Sequence, residues 1–298
     1  MRFMRNRGVG ALALALLLSL PLPALAALNI VATTASLGML ANEVGGEQVS
    51  VTVLAAPDRD AHYLDARPSF MAALRRADML LEVGAGLEEG WLPAAQRGAA
   101  NPAVNSGRET HFVGASILPL RRSITMDGPN VGHVHAEGNP HFNVDPMRMA
   151  SLGEALARRL ARLDPAHAEA YHARAGALAE TLREQARQLA EGVAEQRIVV
   201  YHEDLDYLEE WLPVEVVGYL EPAPGIPPSA RHLGELVGEL QGTEGRVLYA
   251  SFQPAKGAEF LQRQLGWPAT SVALEPQTPT LEGYLALMRD WVDALDAR

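Results

Sequence analysis

Residues 165–196 read PAHAEAYHARAGALAETLREQARQLAEGVAEQ. No proline follows Pro165 in this stretch, and Ala170, Ala177, Leu178, Leu182 and Leu189 recur at helical spacing. Asp164 ahead of Pro165 supplies an N-cap residue followed by proline at the first helical position. A helix of about thirty residues rises roughly 45 Å at 1.5 Å per residue, longer than a small lobe. Residues 164–196 therefore read as one helix bridging two lobes.

On the N-terminal side, β-rich runs alternate with amphipathic ones. LNIVATT, VSVTVLA and DMLLEVG read as strands. Helices are expected from about Ser36 to Glu43, in PSFMAALRRA and near LEEGWLPAA. Asp145-Pro146 repeats the helix-start signature. Beyond the long helix the alternation resumes, with strands in RIVVY, VEVVGYL, RVLYA and ATSVAL and a last helix from about Thr280 to Ala294. The expected fold is α/β: two lobes, each a parallel sheet flanked by helices, joined by the bridging helix. The lobes span residues 27–163 and 197–298. No short internal repeat is visible.

The chain has 298 residues, 48% of them hydrophobic, enough for two lobes each with its own core. Residues 1–26 stand apart. MRFMRNR carries three arginines, an apolar run follows, and Ala24-Leu25-Ala26 forms a small-x-small cleavage site. This reads as a cleaved secretory signal peptide; the run is too short, and too broken by Pro21 and Pro23, for a membrane anchor. A periplasmic location follows. There is no cysteine, hence no disulfide, no thiolate metal site and no attachment point for a lipid. Losing the leader takes three of the 25 basic residues and leaves 22 against 36 acidic ones, a net charge of −14. Such a surface repels nucleic acid.

Four positions fall at strand ends or in loops that can converge on them: His62, His141, His202 and Glu275. Three imidazoles and a carboxylate suit four-coordinate zinc. Their separations of 79, 61 and 73 residues match no local ligand spacing, so the residues alone leave open whether they form a site. GHVHAEGNPHFNVDP, residues 132–146, adds His133 and His135. HVHAEG resembles the His-x-His-x-Asp-His signature of zinc-dependent hydrolases but lacks its last two ligands, having Glu137 and Gly138 there. A metal-free secreted adhesin is a further alternative.

From Leu28 to the C-terminus the chain resembles the substrate-binding components of zinc/manganese ABC importers. The likeness rests on DRDAH around His62, NPHFNVDP around His141, VVYHEDLDYL around His202, and YASFQPAKGAEFLQRQLG followed by VALEP. It implies reversible metal binding without catalysis, with His62, His141, His202 and Glu275 as ligands. Zn²⁺ would be the transported substrate, and manganese is the alternative cargo. The implied partners are a membrane permease and a zinc donor protein, with the carrier a monomer. His133 and His135 would form a short histidine loop that captures zinc and passes it inward, or be incidental to a polar loop. Four departures stand out: Ala61 where proline is usual, Asp65-Ala66-Arg67-Pro68 in place of a tighter Glu-Pro, and Asn139 and Glu275 where the family has aspartate.

Overall fold

The computed structural model describes residues 27–123 and 135–296; the proposed leader and His133 lie outside them. The first half contains β1 (Leu28–Ala32), α1 (Ala35–Gly45), β2 (Val49–Val53), α2 (Pro68–Arg75), β3 (Met79–Glu82), α3 (Leu92–Ala99) and β4 (His111–Val113). Its four strands are parallel, in the order β2-β1-β3-β4. The strand β4 was not expected: it is three residues long at the sheet edge, too short to show an alternating pattern.

Two helices link the halves, α4 (Pro146–Leu163) and α5 (Ala168–Ala190). Asp145 caps α4 as its sequence implies, its Oδ1 accepting from the Met147 and Arg148 amides at 2.7 and 3.3 Å. Asp164 does not repeat the motif. Its carboxylate accepts from the Tyr171 hydroxyl at 2.6 Å and pairs with His167 Nδ1 at 2.7 Å. Residues 165–167 consequently form a 3-10 turn, and the helix starts at Ala168. The long helix thus has 23 residues, not about thirty, and reaches roughly 35 Å. It packs against α4 as the second arm of a helical hairpin.

The second half contains β5 (Gln196–Val200), β6 (Val214–Tyr219), α6 (Ala230–Leu240), β7 (Arg246–Ala250), α7 (Lys256–Leu265), β8 (Ala269–Val272) and α8 (Leu281–Asp296). Its sheet is also parallel, in the order β6-β5-β7-β8. Both sheets therefore share one strand order. Crossovers leave in opposite directions beside the first strand of each, and the crevice outside the strand carboxyl ends there is where α/β folds bind ligands.

Alternation along the strands divides the apolar interior. Ile30 and Ala32 face one way, Val31 the other, toward Phe70, Leu74 and Trp91. Likewise Ile198 and Val200 face inward, while Val199 packs with Leu236, Leu261 and Trp267. The inward faces do not form separate cores, as composition suggested. One cluster runs from Ile30 and Leu40 through Leu156, Leu178 and Leu182 to Ile198 and Trp291. The helix α8 fastens it: Leu281 N–H donates to Glu43 at 2.9 Å, and Pro279 O accepts from Asn42 at 2.7 Å. Because rupture of one half strips apolar cover from the other, urea unfolding is expected to be a single transition, coincident by tryptophan fluorescence and far-UV circular dichroism. Two separated transitions would contradict a common core.

Candidate metal centre

The cleft between the sheets is a cavity of about 530 Å³ whose walls include His62, His135, His141, His202 and Glu275. Each histidine arrives by a different local device. After β2 the chain turns through a 3-10 segment, Ala61–Tyr63. Asp60 caps it, accepting from the His62 amide at 2.9 Å and, with the same oxygen, pairing with His62 Nδ1 at 2.7 Å. Trp91 Nε1 donates to Ala61 O at 2.8 Å and secures the turn. Burial would raise the Asp60 carboxyl, but its bonds to His62 outweigh that and hold it below the usual carboxylate value.

His141 follows a turn closed by the Gly138 amide on His135 O, 2.9 Å, with Gly138 at φ +120°. Asn139 is fully buried and bridges the two halves. Its Oδ1 accepts from the His141 amide at 2.8 Å, and its Nδ2 donates to Glu203 O at 2.7 Å. An aspartate could not make the second bond, which gives a physical reason for asparagine here. His202 lies two residues past β5, with Nδ1 3.2 Å from Glu221 Oε2. The acidic residues after it begin the 3-10 segment Glu203–Glu210.

His135 joins them. Its Nδ1 donates to Ala85 O at 2.9 Å, and its Nε2 lies 3.1 Å from His62 Nε2. One ligand atom from each of the four histidines lies within 4.8 Å of the others. Tetrahedral zinc with Zn–N bonds of 2.0–2.1 Å needs nitrogens about 3.3 Å apart, so modest ring movement closes the shell. The Nε2 atoms of His141 and His202 are buried with no hydrogen-bond partner. Outer acceptors on Nδ1 orient the rings so that Nε2 faces the cluster: Asp60 for His62, Ala85 O for His135 and Glu221 for His202.

Charges differ across the cluster. Burial, then the neighbouring imidazoles, push His141 well below the ordinary histidine value. Burial would lower His202 as well, but Glu221, Asp204 and Glu203 override it and bring it up to about 9.

Glu275 lines the same cleft, with its carboxylate bonded away from the histidine cluster. Its Oε2 accepts from the Ser36 amide at 2.6 Å, and its Oε1 from Asn143 Nδ2 at 3.3 Å. Thr34, the N-cap residue of α1, makes no side-chain cap, so Glu275 closes that helix from across the cleft. Burial raises its carboxyl to about 7 against the hydrogen bond from the Ser36 amide. The four-residue cluster therefore contains His135 and leaves Glu275 outside it. The sequence offers His135 only as part of an auxiliary loop, because the route by which the ring arrives leaves little trace there. Its anchor, the Ala85 carbonyl, is turned toward it by positive φ at Gly84, Ala85 and Gly86, and a Gly-Ala-Gly triplet after a strand is the one sequence sign of that turn.

The family model for the periplasmic zinc-uptake complex component A, ZnuA, matches residues 30–298. The iron-binding protein YfeA of Yersinia pestis is 28% identical over 219 residues, 70% of this chain and 66% of that protein. A zinc-bound deletion mutant of ZnuA superimposes with a TM-score of 0.72 at 22% identity, over 91% of this chain and 99% of that one. FpvC of Pseudomonas aeruginosa in complex with Mn²⁺ gives 0.75 at 22% identity, over 90% and 98%. At such identity the two structures testify to the fold alone, and their metals differ. The chain belongs to the ZnuA family, the periplasmic metal-binding components of ABC importers.

Proposed function

We propose that this protein binds Zn²⁺ through His62, His135, His141 and His202 and delivers it to a membrane ABC permease. The observation that carries the reading is the convergence of four imidazoles, two of them with buried, unpartnered Nε2 atoms. An all-nitrogen tetrahedral set suits zinc, whereas manganese prefers oxygen-rich shells of higher coordination. Nitrogen sites already favour zinc over manganese in the Irving–Williams order. The carboxylates of Asp60 and Glu221 sit one layer out, where they raise ligand basicity and offset the dication's charge. Capture is reversible coordination, with no bond broken in a substrate, so the protein is a carrier and not a hydrolase.

The leader read in residues 1–26 supports a periplasmic location, where the carrier is proposed to act as a monomer and to take zinc from a donor protein. Among the described residues no helix is long and apolar enough to cross a membrane. Competition titration with a chromogenic chelator tests the cargo. Zinc is expected to bind one per chain and far more tightly than manganese; the reverse order would remove the zinc reading.

The same titration carries a pH signature. Zinc takes the Nε2 lone pair, so a protonated imidazole must release its proton. With His202 at about 9 in the metal-free chain, each pH unit lost between 8 and 6 is expected to weaken zinc about tenfold. Affinity independent of pH over that range would show that His202 is not displacing a proton for metal.

A further inference from the structure

Glu88 is buried, 1% exposed, yet touches no metal-ligand candidate. The sequence suggests a helix near Leu87, but α3 begins only at Leu92, and the carboxylate of Glu88 turns back to the end of β3 instead. Its Oε1 accepts from the Val83 amide at 2.8 Å and the Thr33 hydroxyl at 2.6 Å, and its Oε2 accepts from the Gly84 amide at 3.0 Å. Three donors from two strand ends thus converge on one side chain. The turn they hold is unusual. Gly84, Ala85 and Gly86 have φ of +83°, +50° and +85°, and Ala85 is one of two non-glycine residues with positive φ among those described. An alanine in that region costs energy and persists only where its surroundings over-determine it.

The consequence of the turn is the direction of one carbonyl. Ala85 O accepts from His135 Nδ1 and so presents Nε2 to the cluster. The other two identified outer acceptors are carboxyl groups, on Asp60 and Glu221. His135 has a neutral carbonyl, whose aim depends on backbone conformation. We propose that Glu88 is a positioning residue for zinc binding, acting through the 84–86 turn on His135 and on no other ligand. This rests on the reading of His135 as a ligand.

Glu88→Gln keeps size and one acceptor oxygen but sets an NH₂ group against the Gly84 amide. Replacing an outer partner of a metal ligand typically costs 10–100-fold in affinity, and about tenfold is expected here. The decisive arm is a double-mutant cycle. In a His135→Ala background, Glu88→Gln is expected to change zinc affinity by less than about twofold, because its effect passes through a side chain no longer there. Equal loss in both backgrounds would overturn the proposal and make Glu88 a purely structural residue. Should Glu88→Gln fail to fold, Thr33→Val removes one of the three donors and runs through the same cycle, with a smaller loss expected under the same criterion. Co²⁺ provides a second readout. The visible absorption of the cobalt-loaded Glu88→Gln protein is expected to shift toward that of His135→Ala, and an unchanged spectrum would count against the proposal. If His135→Ala alone leaves zinc affinity intact, the ligand reading fails first; if it lowers affinity while the cycle is additive, only the role of Glu88 fails.

Discussion

Replacing His202 with alanine is expected to lower zinc affinity about a hundredfold or more, since 10–16 kcal/mol shared among four ligands is roughly 3 kcal/mol each. Several features make this position sensitive. Its Nε2 is buried without a partner, and its Nδ1 is held by Glu221 at 3.2 Å. Water entering after truncation would supply one oxygen but would not restore the basicity that Glu221 gives the ring. The apo variant should remain folded, because the core beneath, Ile198, Val200 and Leu205, does not involve the imidazole. Unchanged zinc affinity in a folded His202→Ala protein would remove this residue from the site.

The second large effect separates His135 from Glu275. His135→Ala is expected to cost zinc affinity on the same scale as His202→Ala, about two decades. Glu275→Gln is expected to leave zinc within a few-fold, because a glutamine oxygen still accepts from the Ser36 amide. Its cost should appear in stability, about 1 kcal/mol, because the glutamine NH₂ then faces Asn143 Nδ2 where an acceptor stood. Calorimetric zinc titrations and urea midpoints on the two variants give both quantities. If Glu275→Gln loses two decades and His135→Ala almost none, the ligand set is the other one.

Much of the frame was legible in the sequence. Alternating runs marked seven of the eight strands among the described residues; the long apolar-periodic stretch located one helix joining the halves, and Asp145-Pro146 marked the start of the other. The overestimate of helix length came from Asp164, which has the right chemistry for a cap but spends its carboxylate on Tyr171 and His167. A capping residue states what it can bond, not which donor tertiary packing will offer.

The site was legible in part for a related reason. His62, His141 and His202 lie just past strands or before a helix start, where the fold aims side chains into the crevice. His135 carries no such mark. It reaches the cluster from a loop, and its anchor is the carbonyl of Ala85, a group every residue has. Glu275 shows the opposite limit: a carboxylate at a strand end looks like a ligand, while the Ser36 amide it accepts from is invisible in sequence. Asn139 puts a donor on Glu203 O, a bond between two loops 64 residues apart in the chain.

X-ray absorption at the zinc edge of the loaded, full-length protein tests the four-imidazole centre most directly. The account predicts four nitrogen donors at about 2.0–2.1 Å with the outer-shell scattering of four imidazoles. Three imidazoles with a carboxylate oxygen, or a five- or six-coordinate shell, would contradict it.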